Sequence, residues 1–78
     1  MLPVAVDSTT FVTVAYDPTR ELLRLQFRNH AVYQYFGVPA AIWKALLRDQ
    51  SKGHYFNRNI RGRFPYVLVS GPNSTSLS

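Results

Sequence analysis

The chain has 78 residues, no cysteine, 46% hydrophobic residues and a formal net charge of +5 at pH 7, from nine Lys+Arg against four Asp+Glu. That length suits one small domain, burying about 60% of the surface its unfolded chain exposes, and the missing thiols exclude disulfides and cysteine-based zinc sites as staples. The basic balance favours a polyanionic partner, and no apolar run approaches the roughly 18 residues of a membrane span.

In chain order, the opening MLPVAVDSTT lacks the charged region and long apolar core of a secretory signal, so a cytoplasmic protein with no membrane partner is expected. Phe11 to Tyr16 is rich in β-branched and aromatic residues and predicts a first strand. Asp17-Pro18-Thr19-Arg20 predicts a turn, because Pro18 presets the backbone and Asp17 can accept from the following amides. Glu21 to Arg28 predicts a second strand, with Leu23, Leu25 and Phe27 alternating with Arg24, Gln26 and Arg28. Asn29-His30 is a tight turn into a third strand, Ala31 to Phe36. Gly37-Val38-Pro39 ends this three-stranded antiparallel meander.

Pro39 fits the first turn of a helix. Ile42, Trp43, Leu46 and Leu47 then repeat at helical spacing as far as about Gln50, with Lys44 and Arg48 one turn apart on another face. Ser51 is placed to cap a second, shorter helix carrying Tyr55, Phe56 and Ile60, which Gly62 ends. Phe64 to Val69 is apolar throughout and reads as a short extra strand or a packing arm. The domain is thus bounded at residues 1–69, with 70–78 a polar, disordered tail. The fold class is α+β, with one longer and one shorter helix packed on a three-stranded sheet.

Tyr33 and Tyr35, in VYQYFGVP, share a strand face. A two-residue hairpin would set them opposite Gln26 and Arg24, on the basic face, as a stacking platform. One extra loop residue would slip the register and turn both rings into the core with Leu25 and Phe27. Gln34 between them favours the core register, whereas Val32 and Phe36 favour the other.

The order of a β-meander, Tyr33-x-Tyr35, Val38-Pro39, a helix with Leu46, and Ser51-x-Gly53-x-Tyr55-Phe56-Asn57-x-x-Ile60-Arg61 resembles the KTSC domain. That family takes its name from the C-terminus of some lysyl-tRNA synthetases and also includes small stand-alone bacterial proteins. The resemblance spans roughly Ser8 to Tyr66. It implies the fold more firmly than an activity; nucleic-acid binding is what has been proposed for the family. Its glycine-type loop before YxY, here Asn29-His30, implies a bulged turn and hence tyrosines in the core.

Arg24, Gln26 and Arg28 line one strand face, and Arg and Gln suit bidentate base contacts from a two-stranded ribbon. Lys52, Arg58, Arg61 and Arg63 form the densest basic cluster and, with Lys44 and Arg48, are candidate phosphate contacts. Catalysis finds no support: His30 and His54 lie in separate segments, and Asp7, Asp17, Glu21 and Asp49 sit in turns or near helix ends. No spacing matches a metal site, a nucleophile elbow or a phosphate loop, so no cofactor, metal or small-molecule substrate is expected. The expectation is a non-enzymatic, homodimeric nucleic-acid-binding protein. Duplex DNA and a regulatory role come first, RNA second, and a protein-interaction module built on Phe64 to Val69 is the rival.

Overall fold

Asp17 makes its turn as its chemistry implies, its Oδ1 accepting from the amides of Thr19 (3.0 Å) and Arg20 (3.4 Å). A computed structural model describes residues 2–71. Its elements are β1 (Val4–Ala5), β2 (Phe11–Asp17), β3 (Leu22–Phe27), β4 (Val32–Tyr35), α1 (Ala40–Arg48), α2 (Lys52–Asn59) and β5 (Tyr66–Ser70). The strands form one antiparallel sheet in the order β1-β2-β3-β4-β5.

The sheet therefore has five strands where three were expected. The expected meander is its middle, and two further strands close its sides. β1 has only two residues, too few for a pattern to show. The apolar arm is β5, paired along β4 with Tyr66 opposite Tyr35 and Leu68 opposite Tyr33. Because β5 runs through Ser70, the expected boundary at residue 69 falls inside a strand; residues 72–78 of the expected tail lie outside the described residues.

The β3–β4 turn decides the tyrosine register. His30 N–H donates to the Phe27 carbonyl (2.9 Å), the Phe27 N–H donates to the Ala31 carbonyl (2.8 Å), and His30 adopts φ 74°. This is a type I turn followed by a left-handed bulge residue. The extra residue brings Tyr33 opposite Leu25 and Tyr35 opposite Leu23, the core register. A second bulge, between Phe11 and Thr13, lets both Phe11 and Val14 turn inward despite their odd spacing.

Both helices cover this inner face. The core gathers Phe11, Val14, Leu23, Leu25, Tyr35, Val38, Leu46, Phe56 and Ile60. On α1, Leu46 is buried, and Trp43 stacks on Tyr16 with centroids 5.4 Å apart, while the Tyr16 hydroxyl donates to the Val38 carbonyl. Pro39 sits one position earlier than expected, at the N-cap, where its carbonyl accepts from Ile42 and Trp43. Ser51 occupies the N-cap of α2, but its side chain makes no capping bond; its amide instead donates to Asp49 Oδ1 (2.8 Å). At the other end of α2, Gly62 takes φ 76° and turns the chain towards β5.

Candidate nucleic-acid interface

Helix α2 is buried through Phe56, with Ile60 buried just past its end, and this orientation leaves His54, Asn57, Arg58 and Arg61 exposed. His54, Asn57 and Arg58, three and four residues apart, share a polar stripe along α2, and Arg61 follows in its terminal turn. Three grooves border it. The first, about 440 Å³, runs between α2 and the β4–β5 side of the inner face, with Arg61 and Asn57 at its polar wall. The second, broad and open, lies at the start of α2 and holds Arg28, Lys52 and His54. The third, about 250 Å³, holds Arg58 and Arg63 with Asn59. Five of the nine Lys+Arg thus surround one short helix, with Asp7 and Asp49 the carboxylates in the same grooves.

The dense cluster expected from the sequence is accordingly spread around α2. Lys52 folds back, its Nζ donating to the Asp49 carbonyl (2.8 Å). Arg63 Nε donates to the Arg58 carbonyl (3.0 Å), which holds Arg63 beside Arg58 and apart from Arg61. Lys44 and Arg48 are exposed on α1 and line none of these three grooves.

The strand face departs further from expectation. Arg28 lies one residue past β3, and its guanidinium donates to the Ser8 carbonyl (3.0 and 2.7 Å), so it leaves Arg24 and Gln26 and joins the α2 side. Arg24 donates to Gln34 Oε1 (2.9 Å through Nη2), and Gln26 Oε1 accepts from Thr13 Oγ1 (3.2 Å). Both sit on the outer face of the central strand of five. A sheet of that many strands is roughly 19 Å wide at ~4.8 Å per strand, against a major groove about 12 Å wide. The outer face is also concave, since Pro3 beside β1 and Val69 of β5 line one groove with Arg24 and Gln26. The structure thus keeps Arg24 and Gln26 together on the outer face and separates Arg28 from them.

The first groove was not foreseen in the sequence. It is walled by Phe27, Tyr33, Tyr35, Phe56 and Tyr66, with Asn29 at its polar side besides Asn57 and Arg61. Tyr35 is buried, Tyr33 half-buried and Tyr66 exposed. Burial raises the Tyr35 phenol above its ordinary value of 10.0, as do the neighbouring Tyr66 and Tyr33, while Arg61 opposes the shift. The two quoted motif segments converge here, YxY from the sheet and Asn57-x-x-Ile60-Arg61 from α2. That convergence was the available signal, hidden because the segments lie apart in sequence.

Among the described residues no helix is long and apolar enough to cross a membrane. A crystal structure of a KTSC domain protein from Yersinia pestis is similar, with a TM-score of 0.85 and 32% identity over 88% of this chain and 97% of that one. Among sequences, the chain is 36% identical over 58 residues to an uncharacterized protein of Stutzerimonas stutzeri, covering 74% of this chain and 82% of that protein. It is also 40% identical over 55 residues to a lysine–tRNA ligase of a Nostoc species, which is 70% of this chain but only 10% of the ligase. The KTSC domain model matches residues 7–64, and with the shared fold this shows that the chain belongs to the KTSC domain family.

Proposed function

We propose that this protein is a non-enzymatic, cytoplasmic nucleic-acid-binding protein that lays α2 and its terminal turn against the polyanion. The observation that carries this reading is the placement of Arg28, Lys52, Arg58, Arg61 and Arg63 in grooves around α2 and its terminal turn, beside the exposed polar residues His54 and Asn57. Cations arranged around a helix suit phosphate contacts, and Asn and Arg side chains on its outer stripe suit base edges. Similarity to a segment of lysine–tRNA ligases is compatible with a nucleic-acid partner. A duplex-binding, regulatory form rests on α2 and on a homodimer joined along β5, which among the described residues is an edge strand.

The test is the salt dependence of binding. Replacing Arg58, Arg61 and Arg63 together with Gln removes three charges at little cost in helix propensity. The log-log slope should become shallower by about 2 to 3 units, at about 0.9 per lost contact on duplex DNA and about 0.7 on single strands. Stability should stay unchanged. If the triple variant binds like the parent at every salt concentration, the cations are a solvated surface and the protein-interaction reading through β5 takes precedence.

A further inference from the structure

We propose that the cleft between α2 and the β4–β5 side of the sheet takes one unpaired nucleotide, its base against the tyrosine rings and its phosphate on Arg61. This rests on the nucleic-acid reading above and names the form of partner that the cleft selects. The volume, about 440 Å³, lies in the lower part of the roughly 300–1,000 Å³ range of small-ligand sites. Its walls are the rings of Tyr33, Tyr35 and Tyr66, with centroids 5.6 Å apart for Tyr33–Tyr66 and 5.3 Å for Tyr35–Tyr66, backed by Phe27 and Phe56. Such rings give a base a stacking surface whatever its identity.

Charge points the same way. None of the four Asp and Glu side chains lines this cleft, and among the described residues its one formal charge is Arg61. The guanidinium groups of Arg24, Arg28 and Arg63 donate to protein acceptors. Arg61 has no such acceptor among the described residues, and its charge is close enough to Tyr35 to act on the phenol. Asn29 and Asn57 add amides that both donate and accept, as recognition of a base edge needs. The Tyr16 hydroxyl is taken by the Val38 carbonyl, whereas those of Tyr33, Tyr35 and Tyr66 have no such partner among the described residues. A base stacked within a duplex cannot enter a slot between a helix and a sheet, but a splayed-out base can.

The experiment compares the parent with Tyr66→Leu, Tyr33→Leu and, as a charge control, Arg20→Gln in the distant β2–β3 turn. Fluorescence anisotropy would follow labelled oligouridylate, oligothymidylate and a duplex of equal length, and intrinsic fluorescence would follow uridine monophosphate. Tyr66 is 56% exposed, so its replacement should leave the fold intact. Single strands should bind more tightly than the duplex, and each tyrosine variant should weaken them by about tenfold or more, as expected for a lost stacking partner. Arg20→Gln should weaken them far less. Uridine monophosphate binding as tightly as the oligomers, with the same loss in Tyr66→Leu, would support the cleft while assigning it to free nucleotide. If the parent binds strands and both tyrosine variants bind equally well, the cleft inference falls and the α2 reading stands. If the parent binds neither strands, duplex nor nucleotide, the nucleic-acid reading itself falls.

Discussion

Tyr35 does two things at once: its ring completes the core beside Phe56, centroids 5.5 Å apart, and its edge reaches the cleft. Truncating it to Ala should cost about 3 kcal/mol, in the range for buried aromatics, measured by urea denaturation. Tyr35 and Tyr16 also make a prediction about alkali. Burial is the main cause that raises both phenols above 10.0, and at Tyr16 the nearby Glu21 and Asp17 carboxylates add to it. A raised value means that above pH 10 the unfolded chain loses these protons before the folded one does. Their contribution is therefore complete below about pH 10 and is lost as the pH climbs through the higher folded values. Urea midpoints should be level up to that pH and fall above it, and the Tyr16→Phe, Tyr35→Phe double variant should fall less steeply. An equally steep fall in the variant would show that other groups govern alkaline unfolding.

At the scale of elements, the close seating of α2 on the start of β2 depends on Gly53. A Cβ added there would overlap Thr10 Oγ1 and lie 3.0 Å from Thr10 Cβ, a branched carbon that cannot swing aside. Alanine would favour the helix by up to about 1 kcal/mol, but forcing a methyl into a packed contact typically costs about 1–3 kcal/mol. Gly53→Ala should therefore destabilise the protein by roughly 1–2 kcal/mol net. Combining it with Thr10→Ala should cost less than the sum of the two single changes, because the second removes Oγ1, the atom in overlap, while Cβ stays. Strict additivity in thermal or urea unfolding would place the cost of Gly53→Ala elsewhere.

At the scale of the whole molecule, the described residues form a sheet with two edges of unequal character. β1 offers two residues, whereas β5 offers five and exposes Tyr66, Val67, Leu68 and Val69 by 47–56% each. An unpaired edge with four consecutive exposed apolar residues is a template for another strand. Pairing β5 with β5 of a second copy would join the sheets and bring the two α2 surfaces into two-fold symmetry. Sedimentation should show a dimer at tens of micromolar, roughly the range where weak dimers form. Replacing Val67 and Val69 with Lys should yield a monomer with its core intact. A parent that sediments as a monomer throughout that range excludes the edge pairing.

β3 shows what local sequence can determine: its alternation of Leu23, Leu25 and Phe27 with polar residues specified a half-buried strand without reference to any partner. The same holds for α1, whose apolar repeat follows helical geometry, and for the motif segments that identified the family. Three things were decided only when the chain closed on itself. β5 became a strand by pairing with β4, an element on the far side of both helices, because an unbroken apolar run carries no period of its own. The tyrosines turned inward because one extra turn residue, His30 at positive φ, flipped the parity of everything after it. The basic residues that are close in sequence separated because α2 ends at Asn59 and the left-handed Gly62 redirects the chain, leaving Arg61 at the cleft while Arg63 returns to the Arg58 carbonyl. Periodicity is a property of neighbours along the chain, whereas register, edges and the convergence of side chains depend on contacts between distant segments.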